Sequence, residues 1–310
     1  MSSGKNYTIY HLHSDISNAT TNIDSVTKYD QYIDRAKECG MKALGFSEHG
    51  NIFMWFKKKT AIEAAGMKYL HGIEAYVTMQ LEEKVRDNYH CVLIARNYEG
   101  FKEINRLFST SYQRTDDNHF YYSPRISMDE LENTSDNIII TTACLGGALN
   151  SNNESDKKRF LDFCFANKHR VFLEIQHHLD IPQIEYNRWL YKLFQQYGFR
   201  LIAGTDTHSL NETHAKGRMM LQKGKNVHFD NEDTWDLTFK TYDELCAAYR
   251  RQKSLPKDVY LQAIENTNVL ADMVESFELD YSNKYPNVFE DPDGEFRRIV
   301  YDAMYKHPYA

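Results

Sequence analysis

Apolar and polar positions along the first two thirds of the chain alternate between short β-rich runs and amphipathic helical runs. Residues 7–11 (YTIYH) are predicted as a strand and residues 28–39 as a helix, with Gly40 where a left-handed cap would end it. A strand at 42–46 follows, then a helix at 52–65 with Gly66 after it, and strands at 68–73 and 89–95. A helix at 98–112, a strand at 137–142 (NIIITT), a helix at 157–167, a strand at 170–175, a helix at 182–197 and a strand at 200–203 complete the series. Strand–helix units of this length imply parallel pairing through helical crossovers, in a closed barrel or a doubly wound sheet. Beyond about residue 210 the strand signals fade. Residues 241–252 and 257–275 are predicted helical, the second with apolar Val259, Ile264, Val269 and Leu270, and a Pro- and Asp-rich linker then leads into a further helix.

Composition narrows the class. Of 310 residues, 42% are hydrophobic and 14% aromatic, enough for a sizeable core and against overall disorder. A net charge of −7 argues against wrapping duplex DNA by simple phosphate neutralisation and suits a site that gathers cations. The five cysteines are scattered with no CxxC pair, which fits free thiols in a reducing compartment. With no apolar leader and no run approaching the ~18 apolar residues of a membrane span, the expectation is a cytoplasmic protein without a membrane partner.

The candidate chemistry falls at strand ends. His11 and His13 are two apart on a strand, so both imidazoles share a face and can hold one divalent ion; alone, the pair reads more readily as two satisfied surface histidines. His49 follows the strand at 42–46, Glu74 the strand at 68–73, Cys144 the strand at 137–142, and Asp206 with His208 the strand at 200–203. Functional side chains collect at the C-terminal ends of strands in parallel α/β folds, so these segments converge on one pocket, which favours the barrel. His90, at the beginning of YHCVLIA, does not obey this rule. Cys144 by itself reads as a small buried hydrophobe. Glu174, His177 and His178 are expected to pack or support rather than to ligate, and Lys57, Lys58 and Lys59 to form a solvated helix face. Arg96, Arg125 and Arg218 are undifferentiated candidates for a substrate phosphate, and Gly146-Gly147 reads as a tight turn. His71, His119, His169, His214, His228 and His307 have no placement that argues for metal.

In order, these segments resemble the PHP (polymerase and histidinol phosphatase) family, most of all the N-terminal PHP domain of bacterial replicative DNA polymerase III alpha subunits. YHLHSD resembles the opening HxH motif, GFSEHGN the usual TDHGN with Glu48 in place of Asp, and GIEAYV the stretch around the bridging acid. NYHCVLIARN, TTACLGG and GTDTH are similar to three further motifs, and the resemblance runs from residue 7 to residue 285. It implies an α/β fold, a PHP-type distorted (β/α)7 barrel with a helical C-terminal extension. Residues 1–215 would form the metal-dependent phosphoesterase barrel and 216–285 its helical completion; 286–310 would lead toward a polymerase thumb and palm that this sequence does not include.

The resemblance also implies two to three divalent ions, zinc or manganese, which the donor set suits. His11, His13, Glu74 and Asp206 would hold one; Glu74 would bridge to a second, held with His90 and Cys144; His49 and His208 would hold a third with an acid, for which Asp24 is favoured and Asp15 is the rival. Glu74 would fix the metal spacing and Asp206 orient the nucleophile. The function implied is phosphoester hydrolysis of the 3′→5′ exonuclease type in DNA replication, with DNA reached through the rest of a polymerase. The missing polymerase segment or a proofreading subunit would be the protein partner. The alternatives are a catalytically silent, metal-stabilised docking module and a free-standing histidinol-phosphatase-like enzyme, the latter disfavoured by Cys144 and the tail.

Overall fold

The computed structural model describes residues 5–115, 118–227 and 235–308, so His228 lies outside the described residues. It divides into two units, Met1–Ser276 and Phe277–Ala310. In the first, the elements run α1 (Tyr29–Glu38), β1 (Ala43–Phe46), α2 (Trp55–Ala64), β2 (Lys68–Thr78), β3 (Tyr89–Ala95), α3 (Tyr98–Ser111), β4 (Ile126–Ser127), α4 (Met128–Glu132) and β5 (Ile138–Thr141). α5 (Glu154–Ala166), β6 (Val171–Ile175), α6 (Ile181–Tyr197), β7 (Arg200–Ala203), α7 (Glu212–Gly224), α8 (Tyr242–Gln252) and α9 (Lys257–Met273) follow. The second unit carries α10 (Pro292–Lys306), none of whose residues is buried. Among the described residues no helix is long and apolar enough to cross a membrane.

The strands form one curled, mixed sheet in the order β1-β2-β3-β5-β6-β7, with β4 on β2. All-parallel pairing, expected from the strand–helix alternation, fails at β3, which runs antiparallel to both β2 and β5. The cause is the connection: β2 and β3 are joined by residues 79–88, with no helix to carry the chain back to the other end of the sheet. The predicted strand at 7–11 is not a full strand either. Its extended chain makes single parallel bridges, Ile9 with Leu44 and Leu12 with Thr207, and so lies between β1 and the chain beyond β7. The segment that carries His11 and His13 thereby joins the two ends of the sheet.

β2 is longer than predicted because it serves two neighbours on one side. β1 pairs its first half, from Ala43↔Lys68 to Phe46↔His71, and β4 its last residues, Val77↔Ile126 and Thr78↔Ser127. The gap between them is where His49 bridges to Glu74.

The core is built from inward residues of every long strand, among them Ala43, Leu70, Val92, Ile94, Phe172 and Ile202, packed against Leu270, Ala271 and Val274 at the end of α9. Lys68 at the start of β2 donates to the Ala271 and Val274 carbonyls at 2.9 and 3.0 Å, and Glu275 N donates to Arg96 O just past β3 at 2.7 Å. α9 therefore covers the end of the sheet opposite the candidate ligands. Gly40 (φ +70°) adopts the left-handed conformation predicted for the end of α1.

Candidate metal centre

Seven chain segments, the loop carrying Asp24 among them, deliver side chains to the other end of the sheet. His11 and His13 come from the N-terminal segment, His49 from just past β1, and Glu74 from inside the long β2. Cys144 lies past β5, and Asp206 and His208 past β7. The reversal of β3 explains His90: paired with Tyr76, two residues beyond Glu74, the beginning of this strand lies at the same rim as the ends of the parallel ones.

His11 Nε2 lies 3.4 Å from Glu74 Oε1 and 3.3 Å from Asp206 Oδ1, while His13 Nε2 lies 3.4 Å from Glu74 Oε2 and 3.2 Å from the same Asp206 oxygen. Glu74 meets His49 Nδ1 at 2.8 Å with one oxygen and His90 Nδ1 at 2.9 Å with the other. Asp24 Oδ1 lies 3.3 Å from both His49 Nε2 and His208 Nε2. Among the described residues three groups are compact enough to hold an ion: His13, Asp24, His49 and His208; His11, His13 and Asp206; and His49, Glu74 and His90. Cys144 lies outside them, its Sγ 3.5 Å from His90 Nδ1. The rival acid, Asp15, begins a short 3-10 turn, is half-buried, and feels the charges of Glu48, Lys28 and Lys58 rather than those of the imidazoles.

The local chain holds these positions in unusual backbone. Ile23 (φ 54°) precedes Asp24, Ala143 (φ 54°) precedes Cys144, and Asp206 itself has φ 47°, all in the left-handed region that side chains with a Cβ disfavour. Asn18 Oδ1 accepts from the Asp24 and Ser25 amides at 2.6 and 3.2 Å, and Arg218 donates to the Asp24 carbonyl. The tight turn at Gly146-Gly147 admits no side chain: a Cβ at Gly147 would fall 2.4 Å from Thr142 O, and one at Gly146 would press on the His90 ring.

Electrostatics set the site apart from a satisfied polar core. His11 Nε2, His13 Nε2, both Glu74 oxygens, Asp206 Oδ1, Asp24 Oδ2 and His49 Nδ1 are buried without a hydrogen-bond partner. Burial would raise the pKa of Glu74, but His90, His49 and His11 outweigh it and hold the carboxyl well below its usual range; His208 and His49 do the same for Asp24. Burial opposes protonation of His11 and His49, yet Glu174, Asp206 and Glu74 raise the first and Asp24, Tyr76 and Glu74 the second. His13 is lowered to about 4 by burial and by its neighbours His49 and His208. Converging, unpartnered imidazole and carboxylate atoms are the donor set of a divalent cation, so the residues present fit one.

Several contributors escape sequence reasoning. Lys58 and Lys59 are buried, contrary to the solvated face expected for residues 57–59: Lys58 pairs with Glu48 beneath the rim, and Lys59 with Glu63. Glu48 accepts from Ser14 N at 2.9 Å and from Ser17 Oγ at 2.6 Å, and Ser17 in turn meets His13 Nδ1 at 3.2 Å. Of the three arginines, Arg218 serves Asp24, and Arg125 is fully buried on the carbonyls of Val85 and Asn118.

Residues 10–178 match the family described as PHP domain. The chain belongs to the PHP-domain family. This PHP-domain chain is 31% identical over 288 residues to the DNA polymerase III subunit alpha of Borreliella burgdorferi, covering 87% of this chain and 24% of that protein. It is 30% identical over 329 residues to the same subunit of Aquifex aeolicus, covering 97% of this chain and 27% of that protein. It thus spans about a quarter of the length of these relatives. A solved amidohydrolase from Chromobacterium violaceum with bound sulfate and no metal overlaps 66% of the PHP-domain chain and 89% of its own, at 15% identity and a TM-score of 0.43.

Proposed function

We propose that this PHP domain binds two to three divalent cations, zinc or manganese, and hydrolyses phosphodiester bonds at DNA 3′ ends, as the N-terminal module of a DNA polymerase III alpha-type protein. The observation that carries the reading is the set of buried, unpartnered imidazole and carboxylate atoms directed at one another from five chain segments. The alpha-subunit relatives, aligned over nearly the whole chain, supply the replication context.

His11, His13 and Asp206 would hold one ion, His49, Glu74 and His90 a second, and Asp24, His49 and His208, with His13, a third. Cys144, beside His90, would join the second on ionisation; burial, then Asp206 and Glu74, raise its pKa well above the usual thiol value, so only a cation would make it a thiolate. Bound cations supply Lewis acidity and a water acidified to near neutral pH. Glu74 meets residues of both groups, His11 and His90 through Oε1 and His13 and His49 through Oε2, and so would set their separation. Asp206, shared by His11 and His13, holds an ionised carboxylate at the rim, where it can orient a nucleophile.

The test is release of nucleotides from 3′-labelled single-stranded DNA by metal-loaded protein, with chelation and with His11→Ala. Chelator-reversible activity lost in His11→Ala is expected. Two or more ions bound per chain with no hydrolysis above His11→Ala would reject the nuclease reading and leave a metal-stabilised docking module.

A further inference from the structure

We propose that Glu174 is a positioning residue of this centre: its carboxylate holds the Nδ1 proton of His11, fixes Nε2 as the atom offered to a cation, and contributes a negative charge that no lysine or arginine among the described residues balances. The inference rests on the metal-centre reading above.

Glu174 lies on β6 with no exposed surface. Its oxygens accept from His11 Nδ1 at 2.7 Å, Tyr10 OH at 3.0 Å, Thr141 Oγ1 at 2.8 Å and Gln176 Nε2 at 2.9 Å. Space for it depends on Gly204, where a Cβ would fall 2.0 Å from Oε1. The carboxylate is therefore fixed from four sides. An ionised carboxylate can only accept, so Nδ1 of His11 carries the hydrogen and Nε2, which faces Glu74 and Asp206, is the atom left to give its lone pair to a cation.

A comparison within the molecule sharpens the charge argument. Glu48 supports the second histidine of the pair, His13, through Ser17: the Ser17 hydroxyl donates to Glu48, so it accepts from His13 Nδ1. That carboxylate has its own buried counter-ion, Lys58. Among the described residues Glu174 has no lysine or arginine partner, and its only ion pair is His11. A buried carboxylate without a permanent counter-ion is costly. Here the imidazole transmits that charge to whatever sits at Nε2, which ties the cost to cation binding.

Glu174→Gln keeps the shape and removes the charge. Zinc and manganese titrated calorimetrically into the metal-free full-length chain should bind the variant about 10- to 100-fold more weakly at the tightest site. The metal-free variant should melt at or above the wild-type temperature, and metal should raise its melting temperature less. A residue that merely braces the core would do the opposite, lowering the metal-free melt and leaving affinity alone; that result overturns the inference. If wild-type protein binds neither metal, the metal-centre reading itself fails; if wild type and Glu174→Gln bind equally, only the role of Glu174 fails. A readout independent of the variant's folding is the imidazole ¹⁵N spectrum of zinc-loaded wild type. Nδ1 protonated and Nε2 bound at His11 is expected, and zinc on Nδ1 contradicts it.

Discussion

Asp24 and Asp15 are nine residues apart in one polar loop, and only the first has two imidazoles within 3.3 Å. Asp24→Asn should lower the metal content of purified protein by about one ion per chain, because the group loses its only carboxylate while His13 and His49 are shared with the other two groups; Asp15→Asn should leave it unchanged by elemental analysis. His71, outside the centre, gives a pH prediction. Burial, only partly offset by the Asn105 side chain, holds it at about 3 against an ordinary 6.5. A depressed folded pKa means that the unfolded chain takes up the proton first. The contribution of His71 is thus complete above 6.5 and is lost as pH falls from there toward 3, by at most about 1.4 kcal/mol per pH unit. Urea titrations of His71→Gln between pH 6.5 and 4 should show a shallower loss of stability than wild type. The paired spacings of His11-His13 and Asp206-His208 are legible in the sequence because a two-residue repeat on extended chain fixes a shared face. Glu174 and Lys58 are not: a carboxylate inside an apolar strand and a lysine in a basic run read the same whether or not a buried partner waits elsewhere in the chain.

At the scale of elements, most strands and helices are legible because their periodicity and glycine stops agree. The direction of β3 is not, since hydrophobic pattern is blind to polarity, and that direction is what brings His90 to the rim. α4 and β4, two to five residues long, carry too little pattern to detect. α9 illustrates a helix whose presence is readable but whose station is not. Its Leu270 is fully buried among residues from the strands of the sheet. Leu270→Ala should cost about 2–5 kcal/mol in denaturant unfolding through the cavity it leaves. Metal stoichiometry should be unchanged, because α9 lies at the far end of the sheet from the candidate ligands.

At the scale of the whole molecule, residues 277–291 are largely exposed and form no helix or strand. Limited proteolysis should cut there first and release a fragment close to Met1–Ser276 that retains its bound metal and a cooperative melt. The segment carrying His11 and His13 has a different bearing on the life of the chain. It is held on one side by Leu44 and on the other by Thr207, and its imidazoles face Asp206. During synthesis these histidines leave the ribosome almost two hundred positions ahead of the aspartate they face. A nascent polypeptide stalled before Asp206 has cleared the exit tunnel would lack a donor of the group formed with His11 and His13, so any cation held there would be taken up only after β7 has emerged.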